Sequence, residues 1–198
     1  RQHLPDGYTL KWTGDFENQQ RASKRLAQVV PVSIAIIFVI LFILFSNARD
    51  AGLVLLNVPF AAAGGIIALL ITHFNFSISA GIGFIALFGI CIQNGVIMIS
   101  GIKSNVRSHI PLSEAVKNTV RSRVRPVVMT AAMAAIGLMP AALSHGIGSE
   151  SQRPLAIVII GGVLCDTFFT LFIFPLIVEV IYGKTLYDKE GKLRQRRV

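Results

Sequence analysis

Three polar side chains sit where the surrounding sequence offers them no water. Gln93 and Asn94 lie side by side inside the apolar run Ile78–Ile102, and Asp166 lies inside the run Leu155–Val178. An amide in hydrocarbon needs a protein partner, so at least one of Gln93 and Asn94 must face other helices. An acid near a bilayer midplane costs roughly 2.5–3.5 kcal/mol on insertion scales, so it turns toward the protein interior and finds a partner there. Asp166 is therefore a candidate proton site or a hydrogen-bond partner of the Gln93–Asn94 region. The alternative is a protonated acid satisfied by its surroundings.

Other residue types offer less. Met98, Met129, Met133 and Met139 have the softness to line a Cu(I) or Ag(I) path. They form no ligand cluster in the sequence, and Met is an ordinary filler of irregular cores. His73 and His145 are isolated in separate turns, away from midplane depth, which opposes a membrane enzyme built on Asp166 and a histidine. Cys91 and Cys165 both fall inside apolar runs, so neither a disulfide framework nor a zinc spacing exists.

The elements that must position these groups are membrane spans. Five apolar runs can cross a bilayer: 26–45, 51–71, 78–102, 127–143 and 155–178. Of the 198 residues, 53% are hydrophobic and only 15% charged, with a mean hydropathy of +0.65. A soluble domain carries about 25% charged residues. The expected fold class is an all-α membrane protein of five transmembrane helices, because the alternating pattern of an outer-membrane barrel is absent. The net charge of +9 does not indicate nucleic acid. Its basic residues flank the spans, next to lipid headgroups, without the interleaved aromatics of a nucleic-acid surface.

The connections differ in character. Residues 1–25 are polar, and Tyr8–Thr13 alternates like a short strand. A lone strand is unstable, so this segment reads as the end of a water-exposed domain, and the chain, starting at Arg1, reads as a piece of something longer. Pro59 and Gly64-Gly65 in the second run predict a kink and a close helix contact. Residues 103–126 place Leu112, Ala115, Val116 and Val120 on one face, which predicts an amphipathic helix on the membrane surface. Residues 183–198 form a basic tail. Six basic residues between Lys103 and Arg125 and six in the tail, against Arg153 alone in the opposite turns, put the C-terminus in the cytoplasm and the N-terminus outside.

Four stretches resemble one family, the resistance–nodulation–division exporters, in their heavy-metal efflux branch. Leu4-Pro-Asp-Gly-Tyr with Phe16-Glu-Asn-Gln-Gln-Arg-Ala resembles the lead-in to their eighth transmembrane helix. Gly83-Phe-Ile-Ala-Leu-Phe-Gly with Asn94-Gly-Val-Ile-Met resembles the tenth. Arg123-Val-Arg-Pro-Val-Val-Met-Thr130, then Gly137-Leu-Met-Pro, resembles the eleventh, and Gln152-Arg-Pro-Leu-Ala with Gly161-Gly the twelfth. The last of these favours the metal branch over the drug branch.

The resemblance implies helices 8–12 of a proton-driven exporter of the bacterial inner membrane, inactive alone. Implied partners are the missing N-terminal part of the transporter, two further copies in a homotrimer, a periplasmic adaptor and an outer-membrane channel. No cofactor is implied; the proton gradient supplies the energy. Gln93 takes the place of the drug exporters' relay lysine. A neutral amide cannot exchange a proton at physiological pH, so Gln93 and Asn94 either hydrogen-bond to acids on absent helices or simply pack. Arg123 and Thr130 match the relay arginine and threonine of the eleventh helix. Seven residues apart, they share nearly one helix face. Against these roles stand an ordinary basic flank for Arg123 and a bond to its own helix for Thr130. Asp166 departs from the family, which usually has a small or hydroxyl residue there. A drug or amphiphile exporter of the same family and a non-transporting structural subunit are the alternatives.

Overall fold

The computed structural model describes residues 15–108, 110–146 and 148–183. The predicted strand Tyr8–Thr13 and the tail from residue 184 lie outside the described residues. Within them the order is α1 (Asp15–Phe45), α2 (Ala48–Leu55), α3 (Asn57–Ile71), α4 (Ile78–Arg107), α5 (Leu112–Leu143) and α6 (Ser149–Phe168). A π turn, Phe169–Ile173, follows α6 and leads into a last helical stretch, 174–183. Five helical segments are long and apolar enough to cross a membrane, with α2 and α3 forming one of them and Ser149–Gly183 the last.

Local chemistry sets the boundaries. The Asn47 side chain accepts from the Arg49 amide and starts α2, and Ser77 accepts from the Ala80 amide and starts α4. The second span breaks at Leu56, between α2 and α3. Pro59 has no N–H for the Leu55 carbonyl and its ring crowds that carbonyl, which accounts for the break. Gly148, in the left-handed region at φ 88°, turns the chain into α6. The amphipathic stretch from Leu112 is helical, and it continues without interruption through Pro126 into the fourth span as a single helix of 32 residues.

Packing centres on α6, which lies against α3, α4 and α5. Two apolar clusters stack along the bundle. One gathers Val54, Met98, Ile99, Phe169, Phe174 and Val178; the other gathers Ala61, Leu87, Cys91, Val158 and Val163. The outward faces are also apolar: Ile43 of α1 is 71% exposed and Ile136 of α5 69%. That pattern suits hydrocarbon or further helices around the bundle.

Small residues let α3 and α6 touch. A Cβ on Gly161 would sit 3.0 Å from the Gly64 carbonyl oxygen and would collide with the Ala68 Cβ. Backbone, not a flexible side chain, stands in the way. Gly161→Leu is therefore expected to separate α3 from α6 and to destabilise the bundle by about 1–3 kcal/mol or more. Thermal unfolding of the purified protein in detergent checks this; an unchanged midpoint contradicts the close approach.

Candidate functional site

Asp166 is fully buried, 0% exposed, on α6 just before the π turn. Its Oδ2 accepts a hydrogen bond of 2.8 Å from the Asn94 Nδ2 on α4, and its Oδ1 accepts one of 3.5 Å from the Thr170 hydroxyl in the π turn. Cys91, one turn from Asn94, reaches the same carboxyl group. No charged side chain faces the carboxyl among the described residues. Asn94 and Asp166 occupy the layer between the two apolar clusters: Cys91 and Val163 lie on one side, Met98 and Phe169 on the other, and Thr170 reaches Asp166 from one turn further along. A carboxyl group enclosed this way can hold a proton and a defined hydrogen-bond geometry, and little else.

The remaining predicted residues stand elsewhere. Gln93, next to Asn94 in the chain, points out of the bundle and is exposed. Successive residues of a helix differ by about 100° in direction, so only one of the amide pair can face α6. Arg123 is half-buried against Gly101 of α4, and its Nε has no hydrogen-bond partner among the described residues. The Thr130 hydroxyl donates to the Pro126 carbonyl at 3.0 Å, a bond within its own helix. Neither Arg123 nor Thr130 reaches Asp166. Met98 is buried in the core, whereas Met129, Met133 and Met139 are at least half exposed along α5. No group of three His, Cys, Asp or Glu able to hold a metal ion occurs among the described residues.

A second polar centre escaped the sequence reading. Asp50, 1% exposed in the first turn of α2, accepts from Lys103 Nζ of α4 at 2.6 Å. Its other oxygen accepts from the Tyr182 hydroxyl of the last helical stretch. Lys103 also donates to the Phe45 carbonyl at the end of α1, at 3.3 Å, and lies over the Phe45 ring. Four elements are tied at this one end. At the other end Arg153 donates to the Ala142 carbonyl of α5 and stacks over Phe74, joining α5, α6 and the turn before α4. Asp50 and Lys103 each look like boundary charges in the sequence; only their opposition across two span ends hints at a pair.

Comparison with known proteins extends over the same region. The model of the AcrB/AcrD/AcrF family matches residues 1–182. The cobalt-zinc-cadmium resistance protein CzcA of Cupriavidus metallidurans is 44% identical over 181 residues, covering 91% of this chain and 17% of that protein. The cation efflux system protein CusA of Escherichia coli (strain K12) is 34% identical over 190 residues, covering 90% of this chain and 18% of that protein. A crystal structure of a heavy metal efflux pump superposes with a TM-score of 0.78 at 43% identity, over 91% of this chain and 18% of that one. The chain thus spans less than a fifth of the length of these relatives.

Proposed function

Since the chain belongs to the AcrB/AcrD/AcrF family, among its heavy-metal efflux pumps, we propose that it is the C-terminal membrane portion of a proton-driven exporter of heavy-metal cations. The observation that carries this reading is the 44% identity to a cobalt-zinc-cadmium resistance protein along nearly the whole chain. The enclosed Asp166 carboxyl, hydrogen-bonded to Asn94 and Thr170, fits a group that holds and releases a proton within a membrane bundle. Asp166 supplies a proton site supplementary to acids on the absent helices, and Asn94 and Thr170 fix its orientation. Arg123, with a buried Nε awaiting a partner, draws charge toward the cytoplasmic mouth.

In this reading the pump stands in the bacterial inner membrane with residues 1–25 in the periplasm and the basic tail in the cytoplasm. It works as a homotrimer with a periplasmic adaptor and an outer-membrane channel. The apolar outward faces of α1 and α5 then rest on lipid and on the first seven helices.

Co-expression of this segment with the remainder of its transporter, in a metal-sensitive strain, tests the proposal. Resistance to divalent heavy-metal salts should return and should vanish when a protonophore collapses the gradient. Resistance to amphiphilic drugs in place of metals would instead mark a drug exporter, and resistance to neither would overturn the transport reading.

A further inference from the structure

Asn57 is the most conspicuous buried group the proposed function leaves unused. It is the first residue of α3, immediately after the break at Leu56. It is 0% exposed, and neither its Nδ2 nor its Oδ1 has a hydrogen-bond partner among the described residues. An amide that is buried and unpaired costs on the order of 1–3 kcal/mol per group left bare. Full enclosure means that an absent helix cannot reach this side chain from outside. Whatever satisfies it is lodged within the bundle.

Its place in the bundle indicates what it serves. On α2 and α3 Val54 belongs to one apolar cluster and Ala61 to the other, with Asn57 between them. On α4 Asn94 lies between Met98 and Cys91, and on the last span Asp166 lies between Phe169 and Val163, members of the same two clusters in the same order. Three helices therefore each place a buried polar residue between the two clusters. The Asn57 amide rests against Gly95, the chain neighbour of Asn94; a Cβ there would lie 2.5 Å from Nδ2. Gly95 has no side chain, which is what lets the amide come this close, and Pro59, lacking an N–H, leaves the Leu55 carbonyl without its helical donor.

We propose that Asn57 is the third member of the Asp166–Asn94 site, joined to it by one or more internal waters, and that it positions the network through which the Asp166 carboxyl exchanges its proton. This rests on the reading of Asp166 as a proton site. Buried polar groups that lack protein partners recruit such waters when two to four polar atoms converge. Asn57 Nδ2 and Oδ1, Asn94 Oδ1 and the Asp166 carboxylate supply that number. The titratable groups beside the carboxyl are Cys91 on α4 and Cys165 on α6; α3 contributes none among the described residues.

The test uses the full-length transporter in everted vesicles, with cation export measured across pH. Asn57→Leu, which fills the space and removes both polar atoms, should shift the pH of half-maximal export by about one unit, the scale of a lost hydrogen-bond partner. Asn57→Ser, which keeps a hydroxyl and leaves room for water, should retain the original profile. Should the Leu variant fail to accumulate in the membrane, Asn57→Ala against Asn57→Ser makes the same comparison, with only Ala shifted. An unshifted Leu or Ala profile, in a protein where Asp166→Asn does alter export, overturns the role of Asn57 and leaves Asp166 standing. If Asp166→Asn changes nothing either, the underlying proton-site reading fails with it. A high-resolution structure of the transporter showing the Asn57 amide bonded to protein alone would also overturn the water link.

Discussion

Asp166→Asn in the complete transporter is expected to cut metal export by about 10- to 100-fold without lowering the amount of protein in the membrane. The substitution keeps the shape of the side chain but turns one acceptor oxygen into an amide donor: the remaining oxygen still accepts from Asn94, and the new NH2 can donate to the Thr170 hydroxyl. What it removes is the exchangeable proton. Groups that transfer protons at enzyme sites contribute about 10²- to 10⁴-fold. A site supplementary to others stands at or below the lower end of that range. Resistance to heavy-metal salts is the primary readout, with proton flux in vesicles as the second. Unchanged resistance ends the proton-site reading and leaves Asp166 as a structural hydrogen-bond acceptor.

The second large effect lies at the Asp50–Lys103–Tyr182 centre and concerns stability. Lys103→Met leaves a carboxylate that is 1% exposed with Tyr182 as its remaining partner. Removing one member of a buried pair destabilises by about 3–5 kcal/mol. Asp50→Leu should cost less, because Lys103 is 28% exposed and its ammonium can move to water. The double variant should recover most of the loss, since an apolar pair of similar volume replaces the ion pair without leaving either charge bare. Thermal unfolding in detergent orders the variants. Equal midpoints for Lys103→Met and the double variant would mean that the bare Asp50 carboxylate costs nothing, against this expectation.

The spans were legible because hydropathy alone determines them: each of the five apolar runs falls in a helix long and apolar enough to cross a membrane. Pro59 correctly marked an interruption, and Gly64 a close contact, because both follow from backbone geometry that the residue type dictates. The meeting of Asn94 with Asp166 was also readable, since buried polar groups in hydrocarbon must find each other. What escaped has a common cause. Asp50, Lys103 and Tyr182 sit near span ends, where a charge is ordinarily solvated and carries no signal of burial. Gln93 and Asn94 look equivalent in sequence, and only the rotation of α4 about its axis separates them. Asn57 passed unnoticed because an amide beside a proline reads as a turn residue, whereas here it lies at the core of the bundle.

The π turn has no signature in composition, yet the far end of the last span depends on it. A turn closed by i→i+5 bonds holds one residue more than its α-helical counterpart. The stretch 174–183 is consequently advanced by one step, about 100° of helical phase, relative to an unbroken α-helix. Without that offset Tyr182 would face a different compass bearing from the one that meets Asp50. The insertion thus acts as a gear tooth: it lets one continuous span present its acid to α4 at one depth and its phenol to α2 at another, two directions that a regular helix could not serve at once.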